Sequence, residues 1–226
     1  VNRYWKHFMG RGLVEPEDDL RVTNPPSNPE LLDGMAAVFV ESGFDLKELI
    51  RLICGSRVYA LDSEPSGSNL LDRRSFSRFY PKRLTAEVLL DAVNDVTLST
   101  TEFAGVPSGT RAVALPDTGF DSYFLSLFGR PASATACECE RAQEANLAQS
   151  LHLLNSDEIQ QKLSADGGRA HALATDEART DEAKITELYL RAYSRPPRER
   201  ELQATLSYLS EKTEARGAYE DVVWSL

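Results

Sequence analysis

The chain has 226 residues, 42% hydrophobic and 27% charged, a composition that excludes disordered and collagen-like classes and leaves enough apolar material for a core without staples. Thirty-five acidic against 25 basic side chains give a net charge of -10, which repels a phosphate backbone and argues against nucleic acid as a partner. No apolar run approaches the roughly 20 residues of a membrane span, so no transmembrane segment is expected.

Val1, Tyr4, Trp5 and Phe8 stand at helical spacing, with Gly10 and Gly12 ending the element. The segment from Glu15 to Pro29 has the proline and acid content of a surface loop. Ser27 followed by Glu30 matches a capping box, and Leu31, Leu32, Met35, Ala36 and Phe39 supply the apolar face of the helix it opens. Gly43 stops that helix, and Asp45 with Glu48 opens the next, whose Leu46, Leu49, Ile50 and Ile53 face inward. Serine, glycine and proline between Ser63 and Ser75 mark a connection. A helix starts near Thr85 with Val88, Leu89, Ala92 and Val93 inward. From Thr97 to Pro116 turn formers and β-branched residues replace the 3.6 period, and Arg111 to Leu115 is the only strand signal.

Phe120, Tyr123, Phe124, Leu127 and Phe128 then form a short aromatic helix ended by Gly129 and Pro131; its rings suit either a core or a sugar-stacking surface. Another helix runs to Leu154. A helical hairpin follows, with Ile185, Leu188, Tyr189 and Ala192 on one arm, Leu202, Leu206 and Leu209 on the other, and Pro196 and Pro197 between. A last stripe, Tyr219, Val222, Val223 and Leu226, stops without a cap, as the first helix begins without one. The expected fold is therefore mainly α, an irregular multi-helix domain with at most a small β element near residues 97-116. It reads as one domain fragment, 1-226, truncated at both ends and divisible into sublobes 1-62 and 76-226.

Two groups of residues are candidates for chemistry. Cys137 and Cys139 lie two residues apart with Glu140 beside them, a spacing that serves to chelate a metal or exchange a disulfide, or simply belongs to free thiols. Arg130 and Arg141 flank them and suit a carboxylate or sulfate, or serve to neutralise Glu138 and Glu140. The second group is Arg3, His7, Arg11, Asp18 and Asp19, near Asn2, which either converge on a polar pocket or pair with one another to fix the loop. No serine nucleophile elbow, zinc-protease helix, phosphate loop or haem attachment signature occurs, so catalytic residues and cofactors are not indicated.

The run Asn2-Arg3-Tyr4-Trp5-Lys6-His7-Phe8, then Gly10-Arg11-Gly12-Leu13-Val14 and Asp18-Asp19, resembles the opening of the PSD-one family, a domain of unknown function in planctomycete-type bacteria. Pro25-Pro26-Ser27-Asn28-Pro29-Glu30-Leu31-Leu32-Asp33, Gly43 to Leu49, and Arg83 with Leu84, Glu87 and Asp91 follow in the family's order. Phe128-Gly129-Arg130-Pro131 with Cys137 to Arg141, and Ser194-Arg195-Pro196-Pro197, carry the resemblance over nearly the whole chain. Asn28 departs from the usual histidine and Phe44 from the usual tryptophan. The resemblance implies an extracytoplasmic location, periplasmic, secreted or at the cell surface, with an upstream domain in the same polypeptide as partner. Two readings of function stand: a structural or interaction module of such a multidomain protein, or part of an extracytoplasmic enzyme, polysaccharide-directed or redox, whose site is shared with that upstream domain.

Overall fold

A computed structural model describes residues 1–131 and 146–226, which form two compact units, Val1–Arg83 and Leu84–Leu226. The described residues contain helices and no strand.

Unit 1 holds α1 (Asn2–Met9), α2 (Pro29–Glu41) and α3 (Leu46–Cys54), followed by irregular chain. α1 ends at Gly10, whose φ of 79° lies in the left-handed region that favours glycine. Gly12 is required for a different reason: a Cβ there would meet the Val14 carbonyl oxygen at 2.3 Å. α2 begins one residue later than the capping-box spacing predicts. Asn28 is the N-cap, its side chain accepting from the Leu31 amide at 3.0 Å with Pro29 at the first helical position, while the Ser27 hydroxyl is buried without a partner. Asp45 caps α3 as expected, accepting from the amides of Lys47 (2.8 Å) and Glu48 (3.2 Å). Trp5, Met9, Leu13, Met35, Leu49, Ile53 and Phe76 form the core, with the Phe76 ring edge-on to Trp5 at 5.3 Å.

Unit 2 contains α4 (Ala86–Thr97), α5 (Tyr123–Leu127), α6 (Leu147–Asn155), α7 (Asp157–Leu163), α8 (Arg169–Thr175), α9 (Asp181–Tyr193), α10 (Glu199–Glu211) and α11 (Ala215–Trp224). α8 lies along α11, and α9 packs with α4 and α10. Ala86 and Leu90 are the deeply buried apolar side chains of α4, Leu89 and Val93 pack against the core as expected, and Val88, also expected inward, is exposed. Of the aromatic residues around α5, Phe124 is fully buried in the core and stacks on Phe128 with centroids 4.4 Å apart, while Tyr123 is exposed.

The segment expected as a strand, Arg111 to Leu115, is instead a single 3-10 turn over Ala112–Ala114. The reason is Asp91, buried on α4, whose carboxylate accepts from the amides of Ala112 (2.8 Å) and Val113 (3.2 Å), with the Arg111 guanidinium 3.4 Å away. Two successive amides aimed at one carboxylate cannot also serve a ladder, where successive amides point to opposite sides. Asp91→Ala strands both amides and is expected to cost about 2 kcal/mol. Urea unfolding followed by circular dichroism measures this, against Arg51→Ala on the exposed face of α3, expected to shift stability by less than about 0.5 kcal/mol.

Candidate functional site

The polar residues of the first segment are sorted by Asn2, which is buried at the start of α1. Its Nδ2 donates to the carbonyls of Val14 (2.9 Å) and Glu17 (3.0 Å), and its Oδ1 accepts from the amides of Leu13 (2.8 Å) and Val14 (3.2 Å). Four bonds from one side chain thus fix the loop after α1 against the helix. Lys6 adds an ion pair to each of two loop carboxylates, Glu15 at 2.8 Å and Glu17 at 2.6 Å. Glu15 also accepts from the Gly12 amide at 2.9 Å. Burial pushes the Glu15 carboxyl up, but Lys6 and that amide outweigh it and hold it below the ordinary range.

The five predicted residues of this region do not converge. Arg3 forms a two-pronged pair with Asp18, Nε to Oδ1 at 2.8 Å and Nη2 to Oδ2 at 2.5 Å, on the exposed surface. Asp19 pairs with Arg21 at 2.6 Å rather than with Arg3 or Arg11. His7 is exposed, its ring edge-on to Phe8, and its carbonyl accepts from the Lys82 ammonium. Only Arg11 reaches a cavity.

That cavity, about 380 Å3, is lined by Lys6, Arg11, Glu15, Arg73, Arg78 and Tyr80, among others. A recess of about 130 Å3 shares Arg11 and Glu15 and adds Arg74 and Ser27. The far wall is the loop 72–80, and Asp72 organises it. Its carboxylate accepts from the amides of Arg74 (2.9 Å), Ser75 (2.8 Å) and Ser77 (3.0 Å), from the Ser77 hydroxyl and from the Tyr80 hydroxyl (3.1 Å). The Tyr80 hydroxyl in turn accepts from the Phe76 amide at 2.9 Å, which seats Phe76 in the core. Arg73, Arg74 and Arg78 were not distinguishable from an ordinary connection by motif. The available signal was three arginines within six residues in a strongly acidic chain.

A second exposed feature lies at the turn between α2 and α3. Phe44 has φ 66°, in the left-handed region that bulky residues avoid, and its ring is 64% exposed while touching Phe39 edge-on at 5.5 Å. Val40 and Leu46 beside it in sequence are exposed as well.

In unit 2, Arg130 donates to the Phe120 carbonyl, and its Nη1 is buried without a partner among the described residues. Cys137, Cys139, Glu140 and Arg141 lie outside the described residues. Among those described, no group of histidine, cysteine and carboxylate side chains has the geometry to hold a metal ion. Cys54 is a free thiol; burial pushes its pKa up, against the pull of Lys82. His152 is buried among Tyr123, Phe124 and Phe128, its Nε2 3.5 Å from a Glu158 carboxylate oxygen without a hydrogen bond to it.

The site makes two predictions. Asn2→Ala is expected to lower stability by about 2–3 kcal/mol, since it leaves buried loop amides unpaired, whereas Arg3→Ala, which breaks a solvent-screened surface pair, is expected to have a much smaller effect; urea titration compares the two. The Ser77 hydroxyl and three backbone amides hold the Asp72 carboxyl far below the usual carboxylate range. A depressed pKa contributes stability that is complete above the unfolded value of about 3.9 and lost as pH falls through the folded one. Hydrogen exchange of residues 72–80 should therefore be unchanged from pH 7 to 5 after correction for intrinsic rates, and the wild-type loop should loosen only below about pH 4. In Asp72→Asn the loop should be loose throughout.

The family described as PSD1, protein of unknown function (DUF1553), matches residues 1–209. No curated protein and no solved structure matches the chain.

Proposed function

We propose that this chain, which belongs to the PSD1 family, is an interaction module of a larger extracytoplasmic protein, docking on an upstream domain of the same polypeptide through the turn between α2 and α3. The observation that carries the reading is Phe44. A phenylalanine at positive φ costs about 1–2 kcal/mol relative to a residue at ease there, and strain of this kind collects at functional sites. Its ring is two-thirds in water, where an aromatic side chain gains little from the fold but serves as an anchor in a partner's pocket. α2 supports this: Leu31, Leu32, Met35 and Phe39 pack on the core, yet Val38 and Val40 of the same helix are exposed.

The polar residues of the first segment favour the same reading over catalysis. Arg3, Lys6, Glu15, Asp18 and Asp19 are consumed by pairs that hold the loop, which leaves no acid–base couple poised for a substrate. The extracytoplasmic setting and the upstream partner rest on the family resemblance.

Phe44→Asn separates the two roles of the residue, because asparagine tolerates the left-handed region. Its unfolding free energy is expected to stay within about 1 kcal/mol of wild type, while affinity for the separately produced upstream domain falls ~10-fold or more in titration calorimetry. Undiminished affinity in the variant, or no binding by wild type, overturns the docking reading. Fractionation of cells making the full-length protein tests the location, and recovery from the cytoplasm alone would overturn that part.

A further inference from the structure

The cavity bounded by the loop after α1 and the loop 72–80 is lined by Lys6, Arg11, Arg73 and Arg78, and the fold does not use all of these cations. Three other arginines of unit 1 are matched by carboxylates: Arg3 with Asp18, Arg21 with Asp19, Arg51 with Glu48. Lys6, on the cavity wall, is spent on Glu15 and Glu17, and Glu15, the one carboxylate in the lining, is spent on Lys6 and the Gly12 amide. Arg11 and Arg73 are different. Neither guanidinium has a hydrogen bond or ion pair among the described residues, and the same holds for Arg74 on the adjoining recess. Arg78 donates from Nη1 to the Ser63 carbonyl at 3.1 Å, and its Nε–H is buried with no acceptor. Unpaired cations gathered on one concave surface repel each other, and a buried donor without an acceptor is costly, so an anion placed there relieves both.

We propose that this cavity binds a small ligand bearing a tetrahedral oxyanion, a phosphoryl or sulfuryl group, held by Arg11, Arg73 and Arg78. Three guanidiniums supplied by two separate segments suit a group whose oxygens spread tetrahedrally, where a planar carboxylate is matched by one fork. The volume, about 380 Å3, exceeds what a bare oxyanion fills and falls within the ~300–1,000 Å3 of small-ligand cavities, so the ligand carries a body beyond the anionic group. Tyr80 lines the same space, with the Arg78 guanidinium 5.4 Å from its ring centroid. Asp72 makes the arrangement stiff before the ligand arrives, because it ties the backbone carrying Arg73 and Arg74 through three amides. The docking role of Phe44 is a separate matter and the cavity does not depend on it.

The test is titration calorimetry on the full chain with inorganic sulfate and, separately, inorganic phosphate, at constant ionic strength set by sodium chloride. Saturable binding of at least one anion is expected, weakened ~10-fold or more by Arg11→Gln together with Arg73→Gln. Arg3→Gln together with Arg21→Gln should leave it unchanged. Arg73→Gln alone, on an exposed side chain with no partner to lose, is the second variant if the double one folds poorly. Phosphate binding that tightens between pH 6 and pH 8 and exceeds that of sulfate assigns a phosphoryl ligand, and sulfate binding equal to or tighter than phosphate assigns a sulfuryl one. Absence of saturable binding by either anion, or binding that persists undiminished in the Arg11 and Arg73 variants, overturns the site.

Discussion

Four hydrogen bonds from the buried Asn2 amide determine what the first unit can be. The chain between α1 and α2 has no ladder and no helix, so its amides and carbonyls need partners from elsewhere, and the buried Asn2 side chain supplies both donor and acceptor. With the loop fixed, Leu13 turns into the core and Lys6 meets Glu15 and Glu17. The same device recurs in two other irregular segments: Asp72 gathers the loop 72–80, and in unit 2 Asp91 gathers the turn at Ala112–Ala114. Side-chain-to-backbone bonds do here what sheet pairing does in other folds.

Unit 2 uses cations for the complementary task. The carbonyls at the C-terminal end of α4 lack intrahelical partners and carry the negative end of the helix dipole. Arg169 is buried against them, donating to the carbonyls of Asp95 (3.0 Å) and Val96 (3.3 Å) and to Glu187 (2.9 Å). Lys162 is buried beside it in the fold of the same helix end, donating to Asn94 Oδ1 (2.7 Å), Thr101 Oγ1 (2.9 Å) and the Thr100 carbonyl (3.3 Å). Burial pushes the pKa of both groups down, yet every ammonium proton of Lys162 has an acceptor. These charges are spoken for, which is what sets Arg11 and Arg73 apart.

The helices were legible because two independent signals coincide in them, an apolar stripe at helical spacing and a capping residue before it. Asp45 before α3, and Ile185, Leu188 and Tyr189 in α9, are examples. α7 and α8 were not legible: at seven residues each they show fewer than two full turns of pattern. The 3-10 turn was misread because β-branched and small apolar residues are compatible with several backbones, and the deciding carboxylate lies about twenty residues earlier. The same distance problem hid the cavity. Arg11 was visible as a polar residue in a glycine-rich loop, but its neighbours in space come from a segment whose composition reads as linker, and only the fold of unit 1 brings the two together.

Asp72 holds the arginine-bearing part of its loop through backbone amides and not through the arginine side chains. Arg73, Arg74 and Ser75 are fixed through their peptide groups or those of their neighbours, so their side chains contribute almost nothing to the conformation that displays them. Replacement of Arg73 or Arg74 changes the chemistry of the cavity wall at little structural risk, whereas Asp72 and Ser77 admit few alternatives. The frame of the loop and the cationic surface it displays are thereby separable: one is set by Asp72, the other by arginine side chains that make no bond to it.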